Sequence, residues 1–313
     1  MADRFQVLSL DGGGARGLFA AAVLAAVERD LNIKLVDHFD LIAGTSTGGI
    51  IAIGLGLGLT PREMVEFYVK HSPQVFRNRL YTRSFQQWIY RKYSAHPLES
   101  ALKEMFGERP FGESTKRLVI PSYDLGTDDV YVFRTAHDER FKRDYKSPAW
   151  HVAMATSAAP TYFPSFRRID RLRLIDGGIW ANNPAMVGLV ESFGTLKSDL
   201  SHIHILSIGT YESISHRRRL LNNGGRLVWA RTVPDVILKA GSVGINNQVR
   251  FLIGDRFVRL NPKVAANEVS LDEADSADDL IGRASYYSRR NMPEISSRFM
   301  QHRAATFIPV YKP

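Results

Sequence analysis

The 313-residue sequence contains no cysteine. Disulfide bonds, thiolate metal sites and a cysteine nucleophile are therefore excluded. A long apolar run is also lacking: the longest, from Ile50 to Leu59, is about half of what a bilayer-spanning helix needs. Residues 1–4 lead directly into a short apolar segment, without the basic region and long apolar region of a signal peptide. From these absences we expect a cytoplasmic protein with no membrane-spanning segment.

Acidic residues are fewer than basic ones. The chain has 41 Lys and Arg residues against 32 Asp and Glu residues, and its net charge is +9. Hydrophobic residues make up 44% of the sequence, which is ordinary for a globular protein with a substantial core. Basic residues are frequent between Arg217 and Arg259. This bias favours anionic partners such as a phospholipid surface, a nucleic acid or a phosphorylated ligand, and it is equally typical of a solvated surface.

A polar turn between two apolar runs is the first candidate functional site. One run leads into Gly-Thr-Ser-Thr-Gly at positions 44–48, and the second follows at once. This order predicts a strand, a sharp turn and a helix, with Ser46 at the apex between Gly44 and Gly48. The pattern fits the nucleophile elbow G-x-S-x-G, in which small residues allow a strained turn to expose the serine hydroxyl. The same residues are typical of an ordinary polar turn, so the pattern alone leaves the role of Ser46 open.

A glycine-rich loop near the N-terminus is the second candidate site. A strand is predicted over Phe5–Leu10 and a helix over Leu18–Asp30, and between them lies Asp11-Gly12-Gly13-Gly14-Ala15-Arg16-Gly17. Free backbone N–H groups and the dipole of the following helix make such a loop an anion site. The loop satisfies the dinucleotide fingerprint G-x-G-x-x-G, with Asp37 or Asp40 at a suitable distance for a ribose.

An oxyanion hole is the alternative use of the same loop. The strand near Asp37 and Asp40 ends in the serine turn rather than in a carboxylate placed for a ribose. An arginine inside the loop, Arg16, is also unusual in a nicotinamide site. The sequence therefore favours an oxyanion hole over a dinucleotide site.

Further helices and strands are predicted along the chain. Thr60-Pro61-Arg62-Glu63 has the N-cap, first-turn proline and third-position glutamate of a helix start. Small residues before Pro160 predict a helix that this proline ends, in which Thr156 and Ser157 have a packing role. Strands are predicted over residues 118–121, 130–133 and 201–210.

Asp176-Gly177-Gly178 is the third candidate motif. It follows a short apolar stretch that predicts a strand. A carboxylate at a strand end, with two glycines behind it, is able to approach another loop closely. An isolated Asp-Gly-Gly, however, is most often a turn.

Together these motifs resemble the patatin-like phospholipase family. The glycine loop, the serine turn and Asp176-Gly177-Gly178 match its three principal motifs, and residues 155–160 and 182–184 resemble its supporting motifs. Their order and wide spacing agree. The resemblance covers residues 5–209 well and the C-terminal region more loosely.

The resemblance implies a three-layer α/β/α fold with a mainly parallel central sheet. It also implies lipid acyl hydrolysis by a Ser–Asp dyad, with no metal and no cofactor. Carried over by motif, Ser46 is the nucleophile and Asp176 the base. The remaining assignments are an oxyanion hole at Gly12, Gly13 and Gly14, steadied by Arg16, and supporting glycines at Gly44, Gly48, Gly177 and Gly178. One domain is expected over residues 1–313, with a core over 5–210 and a helical, basic extension over 211–313.

Two other mechanisms remain open. The chain order Ser46, Asp176, then His202 or His204 matches the Ser–Asp–His order of α/β-hydrolases, with a histidine as base. Both histidines lie inside a predicted strand, whereas a triad histidine needs a loop, so the dyad is preferred. The alternative from another class is a nucleotide-binding module built on the glycine loop, in which Ser46 only touches phosphate.

Regulation and location follow from the resemblance as further expectations. Compact bacterial relatives in this family include effectors of antiphage signalling that cyclic oligonucleotides activate. The basic segment Arg217–Arg259 would suit such an anionic activator, and lipid headgroups would explain the same charge. We expect a phospholipid membrane surface as partner and no nucleic acid polymer, with the active protein peripheral at the inner membrane. Assembly into a homo-oligomer is left open.

Overall fold

The computed structural model describes residues 4–77, 93–214, 219–225, 229, 232–265 and 277–313. The strands are β1 (Phe5–Leu10), β2 (Leu41–Gly44), β3 (Arg117–Asp124), β4 (Asp129–Arg134), β5 (Leu174–Asp176), β6 (Ile203–Ile208), β7 (Glu212–Ile214), β8 (Phe257–Leu260) and β9 (Lys263–Ala265). The helices are α1 (Gly17–Leu31), α2 (Thr47–Gly56), α3 (Pro61–Arg77), α4 (His96–Phe106), α5 (Ala149–Thr156), α6 (Gly178–Ala181), α7 (Ala185–Val190), α8 (Val233–Ile253) and α9 (Ala277–Phe299).

The main sheet is mixed and mostly parallel. Its strand order is β4-β3-β2-β1-β6-β8, and β5 also pairs with β3. The neighbours from β3 across to β8 are all parallel, whereas β4 and β5 run antiparallel to β3. Strands β7 and β9 form a separate parallel pair. The mainly parallel α/β sheet predicted from the sequence is confirmed.

Helices cover both faces of the sheet. Because side chains alternate along a strand, β1 sends Leu8 and Leu10 to one face and Val7 to the other. Leu8 and Leu10 join the larger apolar core, which includes the buried residues of α1, α2 and α9. Val7 joins a second core with residues of α7 and α8. These three layers are the α/β/α arrangement that the resemblance implies.

The helix start at Thr60 is a capping box, as predicted. The Glu63 N–H donates to Thr60 Oγ1 at 3.2 Å, and the Thr60 N–H donates to Glu63 Oε2 at 2.6 Å. Two predicted boundaries are wrong. Helix α5 ends at Thr156, four residues before Pro160. Strand β6 begins at Ile203 instead of residue 201, because Asp199 caps a 3₁₀ turn by accepting the Ser201 N–H at 2.7 Å.

Strands β2 and β5 both pair with the same edge of β3. In the register of β3, Ala43 of β2 lies opposite Val119 and Asp176 of β5 lies opposite Ser122. The two partners are thus three residues apart along β3, which is about 10 Å of strand. Since β2 is parallel to β3 and β5 is antiparallel, the C-terminal ends of β2 and β5 point towards each other. The turns that follow these two strands therefore meet.

None of the helices in the described ranges combines the length and the apolar character needed to cross a bilayer.

The anchoring of α9 on the core gives a test of the packing. Phe299 is buried and stacks on Phe39 with ring centroids 6.2 Å apart, whereas Phe251 on α8 is 91% exposed. We expect Phe299→Ala to lower the free energy of unfolding by about 3–5 kcal/mol, because it leaves a cavity. Phe251→Ala is the matched control and should change it by less than about 0.5 kcal/mol. Urea-induced unfolding measures both; equal effects would contradict the described packing of α9.

Candidate active site

Ser46 lies at the apex of a strained turn between β2 and α2. Its backbone has φ 53° and ψ −122°, a left-handed conformation that a residue with a side chain rarely adopts. The turn is tight, because a Cβ on Gly48 would lie 2.2 Å from the carbonyl oxygen of Leu10. The chain follows the predicted strand–turn–helix course, and its small residues allow the turn to pack against the end of β1. Such a strained residue is typical of a functional site.

Thr156 holds the serine turn from the end of α5. The Ser46 N–H donates to Thr156 Oγ1 at 3.0 Å, and the Thr156 hydroxyl donates to the carbonyl oxygen of Pro121 at 2.6 Å. The expected packing role of Thr156 was therefore incomplete, since its hydroxyl links the turn to β3. The sequence motif gave no indication of this link, because a threonine in a helix of small residues is just as often a packing residue as a hydrogen-bonding one. Ser157 is buried and lines the same cavity as Ser46.

Asp176 ends β5 and faces Ser46. Its carboxylate accepts the Gly178 N–H at 2.7 Å, and the Ser46 hydroxyl is near enough to influence its pKa. Gly177 allows this approach, because a Cβ there would lie 2.3 Å from the carbonyl oxygen of Pro121 on β3. Burial raises the pKa of Asp176 to about 6 from its usual 3.8, and the hydrogen bonds from Ser46 and Gly178 oppose this shift. The carboxyl is thus more basic than an exposed aspartate and still mostly ionised at neutral pH.

The glycine loop lies beside the serine. A Cβ on Gly12 would be 3.2 Å from the Cβ of Ser46. The Gly12 N–H donates to the carbonyl oxygen of Asn182 at 3.0 Å, and the Gly12 carbonyl accepts the Thr210 hydroxyl at 3.1 Å. The expectation that the Gly12 amide joins an oxyanion hole is therefore corrected, because this N–H already has an acceptor. No acceptor among the described residues takes the N–H of Gly13 or Gly14, which leaves these two as candidate donors.

Arg16 contacts the backbone of the same loop. Its Nε donates to the carbonyl oxygen of Gly13 at 3.5 Å, and its Nη1 donates to that of Tyr211 at 3.3 Å. Burial lowers the pKa of its guanidinium. The side chain thus ties the loop to the residue that follows β6, and its head lies against the loop without pairing to Asp176.

A cavity of about 1290 Å³ opens above Ser46 and Asp176. Its floor contains the glycine loop and the two candidate catalytic side chains. Its walls are largely apolar and aromatic, and come from α3, from the segment after α5 and from the first half of α8. Representative wall residues are Phe67, Tyr68, Phe76, Phe163, Ile237 and Leu238. The cavity can hold a long apolar group with a polar end at Ser46.

The two histidines of the triad hypothesis lie elsewhere. His204 on β6 pairs in register with Gln6 on β1, four residues before the end of β6, which is about 13 Å from the strand end that faces the site. Burial, with a smaller contribution from Arg4, lowers its pKa to about 4. His202 lies in the 3₁₀ turn before β6, so its predicted place inside a strand is wrong. Neither histidine lines the described cavity.

The positions of Asp37 and Asp40 do not fit the dinucleotide hypothesis. Asp40 precedes β2 and accepts the Gln6 N–H at 2.8 Å, while His302 Nε2 lies 2.8 Å from the same carboxylate oxygen. Asp37 forms an ion pair with Arg303, 3.6 Å between Oδ2 and Nη1. Both acids lie at the end of the sheet opposite the glycine loop and cannot contact a ribose bound there. In the described part of the chain, no group of His, Asp and Glu side chains could hold a metal ion.

The basic segment separates into different environments. Arg217, Arg218, Arg226 and Arg231 lie outside the described residues. Arg256 donates to the carbonyl oxygen of Leu200 at 3.4 Å. Arg259, at the end of this segment, is buried in an ion pair with Asp11.

Comparisons with known proteins agree with this geometry. A family model for patatin-like phospholipases matches residues 8–189. A cGAMP-activated phospholipase of Escherichia coli is 41% identical in an alignment of 221 positions that covers 66% of this chain and 62% of that protein. A cGAMP-activated phospholipase of Vibrio cholerae is 34% identical over 320 residues, covering 90% of this chain and 89% of that protein.

A third relative, from Pseudomonas aeruginosa, has the same name and is 31% identical over 268 residues. That alignment covers 84% of this chain and 80% of the relative. The family predicted from the motifs is confirmed by these matches, and the family model spans the serine turn, the glycine loop and Asp176. This chain belongs to the patatin-like phospholipase family.

Proposed function

We propose that this protein hydrolyses fatty-acyl esters of membrane phospholipids with Ser46 as nucleophile and Asp176 as general base. The observation that carries the proposal is that Ser46 and the buried carboxyl of Asp176 meet on the floor of a largely apolar cavity, where the Ser46 hydroxyl is near enough to lower the pKa of Asp176. A serine hydroxyl is a weak nucleophile until a positioned base accepts its proton. In this proposal Asp176 accepts that proton directly, without a histidine between the two groups.

The reaction has two steps. Asp176 accepts the Ser46 hydroxyl proton while Oγ attacks the ester carbonyl carbon. When the tetrahedral intermediate collapses, the ester C–O bond breaks, and the lysolipid oxygen takes the proton from Asp176. Water then gives a proton to Asp176 and attacks the acyl-Ser46 carbonyl carbon, and collapse returns the proton to Ser46 and releases the fatty acid.

The raised pKa of Asp176 suits this role. A base is most effective when its pKa lies near the working pH, and burial brings Asp176 to about 6 from 3.8. The N–H groups of Gly13 and Gly14, at the start of the segment that leads into α1, would stabilise the negative oxygen of the intermediate. A donor of this kind contributes about 10²–10³ in rate in other acyl-transfer enzymes.

Activation by a cyclic dinucleotide is the second part of the proposal. Three bacterial relatives, at 31–41% identity, are named as cGAMP-activated. We infer that cGAMP or a similar nucleotide activates this protein, which then acts as a peripheral enzyme at the membrane surface. The net charge of +9 favours both an anionic activator and an anionic lipid surface.

Loss of either dyad member should abolish the reaction. We expect Ser46→Ala and Asp176→Asn to lower fatty-acid release from phospholipid vesicles by about 10³-fold or more. His204→Ala is the control and should keep most of the activity, because His204 lies at the other end of β6. Mass spectrometry of the released fatty acid, with and without cGAMP, measures all four proteins. Activity that survives in Ser46→Ala, or is lost in folded His204→Ala, would contradict the dyad.

The pH dependence should report Asp176. Because the base acts as the carboxylate, kcat/KM should fall about tenfold per pH unit below about 6 and level off above it. Stability should respond in the opposite direction, since a pKa raised by folding favours the native state as the pH falls from 6 towards 3.8. Asp176→Asn should therefore gain stability relative to wild type at pH 8 and lose that advantage at pH 4. Thermal unfolding at the two pH values measures this; a wild-type activity profile flat to pH 5 would contradict the assignment.

The hydroxyl of Thr156 should matter for turnover. Thr156→Val has almost the same shape and removes the acceptor of the Ser46 N–H, so the serine turn loses one support. We expect kcat to fall about 10- to 100-fold, because small displacements of a nucleophile are costly. Thr156→Ser keeps the hydroxyl and should stay near wild type. Steady-state kinetics on vesicles separates the two, and equal activities would show that the hydrogen bond is unimportant.

A further inference from the structure

A buried ion pair lies directly before the glycine loop. Arg259 on β8 approaches the carboxylate of Asp11 with both terminal nitrogens, Nη1 at 2.7 Å from Oδ1 and Nη2 against Oδ2. Nη1 also donates to Ser207 Oγ on β6 at 2.7 Å. The side chains of Arg259 and Asp11 are 8% and 5% exposed. Two-pronged contact of this kind fixes orientation as well as distance, which a lysine cannot do.

Asp11 is the residue through which this contact reaches the loop. Its N–H donates to the carbonyl oxygen of Ile208 at 3.0 Å, so its backbone is held by β6 and its side chain by β8. The next residue, Gly12, is held by Asn182 and Thr210. Gly13 and Gly14 have no side chains of their own to fix them, and glycines have the widest choice of backbone angles. Their amides are held by neighbouring groups, because the Gly12 carbonyl accepts the Thr210 hydroxyl and the Gly13 carbonyl accepts the Arg16 N–H at 3.3 Å. Asp11 fixes the point at which this stretch of the loop begins.

We propose that Arg259 is a positioning residue for the hydrolysis: through Asp11 it fixes the start of the loop that carries the N–H groups of Gly13 and Gly14. The inference rests on the proposed function, since it concerns the oxyanion donors of that reaction. Arg259 does not touch the cavity or the substrate, and it acts only through the backbone that follows Asp11.

The same arginine connects the loop to a wall of the cavity. Strand β8 follows α8 through the 3₁₀ turn Gly254–Arg256, and the first half of α8 lines the cavity with Ile237 and Leu238. Arg259 therefore lies on the strand that comes directly after a helix of the cavity wall.

The test compares Arg259→Met and Arg259→Lys with Arg134→Met. Arg134 forms a part-buried ion pair with Glu191, 2.9 Å between Nε and Oε2, on the distant edge strand β4. We expect Arg259→Met to lower kcat on p-nitrophenyl butyrate, with cGAMP present, by about 10²-fold with little change in KM. Arg259→Lys should recover part of kcat. Arg134→Met should lower the thermal midpoint and leave kcat and KM unchanged.

A double variant separates positioning from stability. Asp11→Asn with Arg259→Met removes both charges of the ion pair, so its thermal midpoint should recover towards wild type while kcat stays low. Amide hydrogen exchange should be faster in the peptide that contains residues 11–17 and unchanged in α9. If kcat recovers together with the thermal midpoint, or if kcat of folded Arg259→Met equals wild type, the inference is wrong. If wild type itself shows no Ser46-dependent esterase activity, the proposed function fails and this inference fails with it.

Discussion

The candidate site depends on the way that β2 and β5 share one side of β3. Neither strand alone could bring Ser46 and Asp176 together, because the two residues come from segments 130 residues apart. Their register on β3 directs the two turns towards each other. Glycines allow the two turns to pack closely on the sheet backbone, since Gly48 packs on the carbonyl of Leu10 and Gly177 on that of Pro121. Sheet geometry, rather than a flexible loop, therefore sets the distance between hydroxyl and carboxylate.

The two buried carboxylates of the site have opposite electrostatic surroundings. Asp11 has the guanidinium of Arg259 against both of its oxygens. Asp176 has no cation paired with it among the described residues; it accepts the Gly178 N–H, and burial raises its pKa to about 6. An aspartate paired with a cation would hold its negative charge too firmly to accept a proton. Asp11 is therefore suited to holding the backbone of the loop, and Asp176 is suited to exchanging a proton.

Much of the fold could be predicted because it is encoded by local patterns. The buried strand Phe5–Leu10, the capping box at Thr60 and the strand–turn–helix at Ser46 each depend on neighbours in sequence. What could not be predicted depends on contacts between distant segments. The link between Thr156 and the Ser46 N–H is one such contact, the Arg259–Asp11 ion pair is another, and the acceptor that occupies the Gly12 N–H is a third. The basic residues of the segment Arg217–Arg259 were counted together as one charged feature, yet Arg259 is buried in an ion pair. A count of charges cannot show which of them are buried.

The wide spacing of the site along the chain has a consequence for synthesis. A ribosome releases residues in order, so a nascent chain of 150 residues already contains the serine turn and the glycine loop but has no Asp176. The partner of Asp11 emerges later still, at residue 259. In the reaction proposed here, a half-made or truncated chain is therefore harmless to the membranes around it. The lipid-degrading activity is postponed until nearly the whole polypeptide has been made and folded.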